Sequence, residues 1–93
     1  MGNDVRVEKI RSAIEAALHP ARLEIVDQSH RHAGHAGAQD GRGHFDVLIV
    51  SDAFMGKLPL ARHRMVFTAV GNLMETVIHA LSIKALSTDE MSS

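Results

Sequence analysis

Residues 44–51, reading His-Phe-Asp-Val-Leu-Ile-Val-Ser, constrain this chain more than any other stretch. In an extended strand Phe45, Val47 and Ile49 fall on one face, while Leu48 and Val50 fall on the other. A strand that is apolar on both faces belongs in the middle of a sheet, with a strand along each edge and a layer packed against it. The rest of the 93 residues must supply those neighbours. That length makes one small domain, residues 1–93, with a core over about 5–86 and a polar tail over 87–93. No cysteine is present, so the core has no disulfide to help it and must close on apolar side chains alone.

The neighbours can be read from the pattern. Over residues 4–18, Val7, Ile10, Ile14, Ala17 and Leu18 recur at three- and four-residue steps, which predicts a helix with one apolar face. Asn3 or Asp4 can cap its free N–H groups, and His19-Pro20 ends it, because the residue before proline is driven out of the α region. Residues 23–27 make a short strand. Residues 29–43 carry Gly34, Gly37, Gly41 and Gly43 and are read as a loop, long enough to point to a function. After the central strand, Gly56 and Pro59 mark a turn into a second helix over 60–74, with Val66, Phe67, Val70, Leu73 and Met74 as its buried stripe. Gly71 inside that helix has no explanation at this level. A third strand covers 79–86, and residues 87–93 fray or form one short turn.

The order is α-β-β-α-β. A long loop joins two antiparallel strands, and the strand–helix–strand crossover makes a parallel pair. This is an α+β domain: a three-stranded mixed sheet with helices on one face.

Charge and composition exclude several functions. A net charge of −1 argues against nucleic-acid binding by bulk charge. The longest apolar run is Val47-Leu48-Ile49-Val50, far short of a membrane span, and no basic-then-apolar leader opens the chain. The expected setting is the cytoplasm, or mitochondria if a transit peptide has been removed. Without cysteine the chain holds no thiol nucleophile, no cysteine zinc site and no iron–sulfur cluster entirely of its own.

What stands out is histidine, with seven residues, four of them between positions 30 and 44. His30, His32 and His35 lie in the glycine-rich loop, and imidazole is the commonest metal-binding side chain. A plain zinc or nickel site on those three is one reading. His79 opens the third strand at a sheet end, where it can face the loop. A pair of one loop His and one strand His leaves a tetrahedral site half filled, so a second molecule must complete it. No Ser-His-Asp signature or paired-carboxylate site is present, and Gly56-Lys57 lacks the upstream glycine of a phosphate loop. The chain is read as non-enzymatic. Lys57 and the Arg62-His63-Arg64 triplet form a basic segment at a helix start, where positive charge opposes the macrodipole and an anion would relieve it.

Taken together, Leu23-Glu24-Ile25-Val26-Asp27-Gln28-Ser29 with His32-Ala33, His44-Phe45, Val50-Ser51-Asp52 with Phe54 and Gly56, Arg62-His63-Arg64, and His79-Ala80-Leu81-Ser82-Ile83 resemble the BolA family over about residues 5–86. Two departures stand out: Gln28 where the family has Glu, and no Trp after the last strand. The resemblance implies a class II KH-like fold. It implies an adaptor that pairs with a monothiol glutaredoxin and shares a [2Fe–2S] cluster with it and its glutathione, in cluster assembly, trafficking or iron regulation. The implied ligands are His79 and His32, with His35 as the alternative loop ligand, and the apo chain is expected as a monomer or weak homodimer. Some members of the family are described as DNA-binding transcriptional regulators. For that alternative the resemblance points to the surface around Lys57, Arg62, His63 and Arg64.

Overall fold

The computed structural model describes residues 2–28 and 42–91, so His30, His32 and His35 lie outside the described residues. Helix α1 (Gly2–Leu18) starts ahead of Asn3 and Asp4, which are therefore inside its first turn and not at its cap. Ile10, Ile14 and Leu18 are buried at four-residue steps, with Val7 packed beside them, while Ala17 turns to solvent. The helix stops as Pro20 demands. His19 adopts a left-handed φ of 46°, and its N–H closes the last turn on the Glu15 carbonyl at 3.1 Å.

Strand β1 (Arg22–Asp27) pairs antiparallel with β2 (Gly43–Val50), which pairs parallel with β3 (Ile78–Leu86), in the order β1-β2-β3. The strand expected at the centre is at the centre. Its register lines up Leu23, Ile49 and Ala85 in one row and Ile25, Val47 and Ile83 in the next. Phe45, Val47 and Ile49 point into the core with Ile10, Ile14, Val66 and Val70 from the helices. The opposite face carries Glu24, Val26, Asp46, Ser82 and Lys84, and none of the described helices lies over it. Leu48 on that face is half-buried, flanked in register by Glu24 and Lys84. Long charged side chains screen such a residue with their stems.

The second helix departs from the pattern. Helix α2 (Pro59–Val70) and helix α3 (Leu73–Thr76) replace one continuous helix, and the break is Gly71. Its φ of 53° and ψ of −127° belong to a quadrant that glycine enters freely and L side chains avoid. That conformation accounts for a glycine where a helix would prefer alanine. Phe67, expected in the buried stripe, is 41% exposed. The buried stripe instead runs Arg62, Val66, Val70, and Phe67 sits about 100° round the helix from Val66.

The far end of the sheet is tied by Ser51, which is 1% exposed. Its hydroxyl donates to the Leu18 carbonyl at 2.6 Å and accepts from the Ala53 N–H at 3.1 Å, capping the short 3-10 turn Asp52–Phe54. Its own N–H donates to the Leu86 carbonyl at 2.9 Å. One residue thus joins three ends: its side chain ties α1 to the turn after β2, and its backbone ties β3. The tail is structured where it is described. Glu90 folds back on the start of helix α4 (Thr88–Met91): its carboxylate accepts the Ser87 N–H at 2.8 Å, and its own N–H donates to the Ser87 carbonyl at 3.1 Å.

Candidate functional site

The described candidate residues, His79 and the basic group, occupy opposite ends of the sheet. At one end β1 finishes at Asp27, β2 begins at Gly43 and β3 begins at Ile78. Residues 29–41 leave from Gln28 and return at Arg42 at this same end. Both anchors are fixed: the Gln28 N–H donates to the His44 carbonyl at 2.7 Å, and the Arg42 guanidinium donates to the Met74 carbonyl at 3.2 Å. His79 lies here with an exposed side chain.

The local backbone is irregular, and the irregularity falls on His79. Gly43 pairs with Ile78, but the next β2 residue, His44, pairs with Ala80. His79 is therefore an extra residue in β3, a bulge. The hydrogen bonds agree. The Val77 carbonyl accepts from Gly43 N–H, and nine positions on the Leu86 carbonyl accepts from Ser51 N–H, both at 2.9 Å. Carbonyls of an unbroken strand point to the same side only at even spacing, so one residue must be out of step between them. Bulges re-aim side chains and recur beside functional sites. The sequence put His79 at the strand start; the bulge that displaces it has no sequence signal of its own.

His44 is the neighbour that the spacing did not single out for chemistry. Its Nε2 lies 3.3 Å from the Ser82 hydroxyl and 3.5 Å from an Asp46 carboxylate oxygen, and Gln28 Nε2 donates to the other Asp46 oxygen at 3.0 Å. Cross-strand register (Asp46 beside Ser82) assembles this group. It is no catalytic triad, because serine and aspartate meet the same ring nitrogen, whereas a relay needs one on each.

Among the described residues no three His, Asp or Glu side chains converge on a metal position. Donor chemistry decides what could be held. His79 offers one accessible imidazole, which suits a shared site completed by ligands from another molecule, and the absence of cysteine requires that any cluster thiolate come from outside.

At the other end lie the basic residues, and one of them changes role. Arg62, expected on a nucleic-acid-binding surface, is turned inward. Its Nε donates to the Lys57 carbonyl at 2.8 Å, and Nη1 donates to the Ala85 carbonyl at 3.0 Å and to Glu90 at 2.6 Å. Nη2 completes a two-pronged bond to the Glu90 carboxylate at 3.2 Å, and the guanidinium lies 6.0 Å from the centre of the Phe54 ring. This hydrogen bond to Arg62, then the one from the Ser87 N–H, push the Glu90 carboxyl down to about 2. The same bond to Glu90 raises Arg62 above its ordinary value. Arg62 thus clasps the turn before α2, the end of β3 and α4, and its charge is spent inside the fold. Lys57, His63 and Arg64 remain exposed on a segment whose helix contains no acidic residue.

This two-layer α+β architecture and its order of elements match a known group of domains. The BolA-like protein profile matches residues 14–90, and the chain belongs to the BolA family. It is 39% identical over 83 residues to the DNA-binding transcriptional regulator BolA of Escherichia coli, covering 89% of this chain and 76% of that protein. It is 41% identical over 88 residues to SufE-like protein 1, chloroplastic/mitochondrial, of Arabidopsis thaliana, covering 89% of this chain but only 24% of that longer protein. Among solved structures, the BolA domain of SufE1 from Arabidopsis thaliana superposes with a TM-score of 0.80 at 41% identity, covering 91% of this chain and 94% of that one. Mouse BolA1 superposes with a TM-score of 0.76 at 37% identity, covering 94% of this chain and 68% of the other. Further relatives include BolA-like protein 1 of Mus musculus, and no helix among the described residues is long and apolar enough to cross a membrane.

Proposed function

We propose that this chain is a non-enzymatic adaptor that docks on a monothiol glutaredoxin and helps hold a [2Fe–2S] cluster between the two proteins. The support is the position of His79: an exposed imidazole, out of step with its strand, at the sheet end where the histidine-bearing 29–41 stretch departs and returns. His79 is one ligand in this reading, and His32 the other, with His35 as its substitute. The partner's cysteine and its bound glutathione supply the two thiolates that this chain lacks. The cluster, when bound, supplies iron whose reduction potential follows its ligands, and imidazole in place of thiolate raises that potential. The work of this chain is to present imidazole nitrogens to the iron. The compartment follows the partner's, either the cytoplasm or an organelle.

A three-way comparison tests the reading. Purified chain is titrated with zinc or iron alone, with apo-glutaredoxin, and with cluster-loaded glutaredoxin plus glutathione. The proposal expects a visible-absorption and circular-dichroism change only in the third mixture, lost with His32→Ala or with His35→Ala. Tight binding of metal alone by His30, His32 and His35 would replace the shared-cluster reading with a simple metal binder.

One observation favours a second reading, a KH-like nucleic-acid module. Lys57 just ahead of α2, and His63 and Arg64 on it, stay exposed, α2 is free of acidic side chains, and the Escherichia coli relative is named as DNA-binding. A gel-shift titration at two salt concentrations decides it. Binding that weakens steeply with salt and is lost with Lys57→Ala and Arg64→Ala supports the module.

A further inference from the structure

We infer that β3 is the self-association surface of this protein, joining two copies edge to edge into one continuous six-stranded sheet. The two edges of the sheet are protected unequally. Along β1, Arg22 pairs with Glu24, and Asp27 pairs with Arg6 at 3.3 Å, so charges guard a six-residue strand. Strand β3 is nine residues long and carries a single charged residue, Lys84. Long, weakly charged edge strands are templates for another strand unless something covers them.

Among the described residues two devices cover β3, both at its ends. The bulge at His79 breaks the ladder at its start. Arg62 takes the Ala85 carbonyl at 3.0 Å near its finish. Between them residues 80–84 are left, and Ser82 is their midpoint.

The direction of the backbone groups can be worked out from two contacts. The Leu86 carbonyl faces β2, because it accepts the Ser51 N–H, and the Ala85 carbonyl faces away, because Arg62 reaches it. Alternation then turns Leu81 and Ile83 outward, each with its N–H and C=O on the free edge. Among the described residues no hydrogen bond outside the sheet reaches these four groups.

A second copy running antiparallel about a two-fold axis at Ser82 satisfies all four. Leu81 faces Ile83 of the other copy, and Ile83 faces Leu81, each pair exchanging two hydrogen bonds. Core-facing Leu81 and Ile83 then stay on the helix side in both copies, so the sheet continues with its layers in register. Lys84 falls opposite Ala80, so the one charge on the strand does not meet its symmetry mate. The alternative registers do worse. A shift of the axis to Ile83 sets Leu81 against Ala85, whose carbonyl Arg62 already holds. A shift to Leu81 sets Ile83 against the bulged His79.

The register makes Ser82 face Ser82, and its side chain is exposed on the face of the sheet away from α1 and α2. That gives a test by charge. Sedimentation of the full chain is followed up to about millimolar concentration, because a strand pair of this size belongs with small, weak interfaces. The wild type is expected to dimerise with rising concentration. Ser82→Lys and Ser82→Asp are each expected to weaken dimerisation about tenfold through like charges at the axis, while an equimolar mixture of the two recovers it as a mixed dimer. Thermal melting of each variant at low concentration, unchanged from wild type, shows that the monomer is intact. A wild type that stays monomeric throughout, or variants that dimerise as well as wild type, would overturn the inference. So would a mixture no tighter than its components.

Discussion

Replacing Ser51 by alanine should be among the most damaging small changes in this protein. The side chain is 1% exposed and makes two hydrogen bonds, donating to the Leu18 carbonyl at 2.6 Å and accepting from Ala53 N–H at 3.1 Å. Losing an N-cap hydroxyl costs about 1 kcal/mol. Leaving a buried carbonyl without its donor costs about 1–3 kcal/mol more. Ser51→Ala removes too little volume for water to take the hydroxyl's place, so the two losses add to roughly 2–4 kcal/mol. In a domain of this size that is a fall in Tm of roughly 10–25 °C. Urea unfolding followed by far-UV circular dichroism measures it as a lower midpoint at unchanged slope. Ser82→Ala is the control: it removes an exposed hydroxyl in a 3.3 Å contact and should stay within about 0.5 kcal/mol of wild type. A Ser51→Ala protein as stable as that control would refute the assignment of the Ser51 hydroxyl as the joint between α1 and the turn after β2.

Gly71→Ala should destabilise by about 1–3 kcal/mol through backbone conformation alone. An added Cβ meets only the Thr68 carbonyl, at an ordinary 3.7 Å, so the cost should persist in every L-residue tried and show in thermal melts. The Arg62 clasp makes stability depend on pH in a stated direction. Glu90 is held at about 2 against an ordinary 4.5, so its contribution is complete above pH 4.5 and fades as pH falls toward 2. Glu90→Gln should flatten Tm against pH in that window. Arg62→Met should lower stability at neutral pH, whereas Lys57→Ala and Arg64→Ala should leave unfolding within about 0.5 kcal/mol of wild type. Chemical denaturation of the three variants separates the structural arginine from the exposed cations.

The fold was legible because its main signals are local and periodic. Phe45, Val47 and Ile49 alternate, and Ile10, Ile14 and Leu18 repeat every four residues; each pattern states which side faces the core. What escaped are features set by partners distant in sequence. Arg62 looks like Arg64 in the chain, and only the arrival of Glu90 and the Ala85 carbonyl makes one a clasp while the other stays in solvent. Phe67 reads as core by composition but lies off the stripe that Val66 and Val70 define. Gly71 was conspicuous without being interpretable, since a helix interior and a helix end look alike until φ is known. His79 was singled out by position. Its displacement from the ladder arises from the mismatch between Gly43 to His44 on β2 and Ile78 to Ala80 on β3, which no single segment encodes.

The central claim rests on His79, and one measurement reaches it most directly. Wild-type chain and His79→Ala are each mixed with cluster-loaded monothiol glutaredoxin and glutathione, and visible circular dichroism is recorded. Because His79 is exposed and sits in a bulge, the variant should fold as wild type does in the far ultraviolet. The account predicts that the wild type changes the cluster's spectrum to a form distinct from glutaredoxin alone, and that His79→Ala leaves the glutaredoxin spectrum as it was. A His79→Ala protein that produces the same altered spectrum as wild type would contradict it.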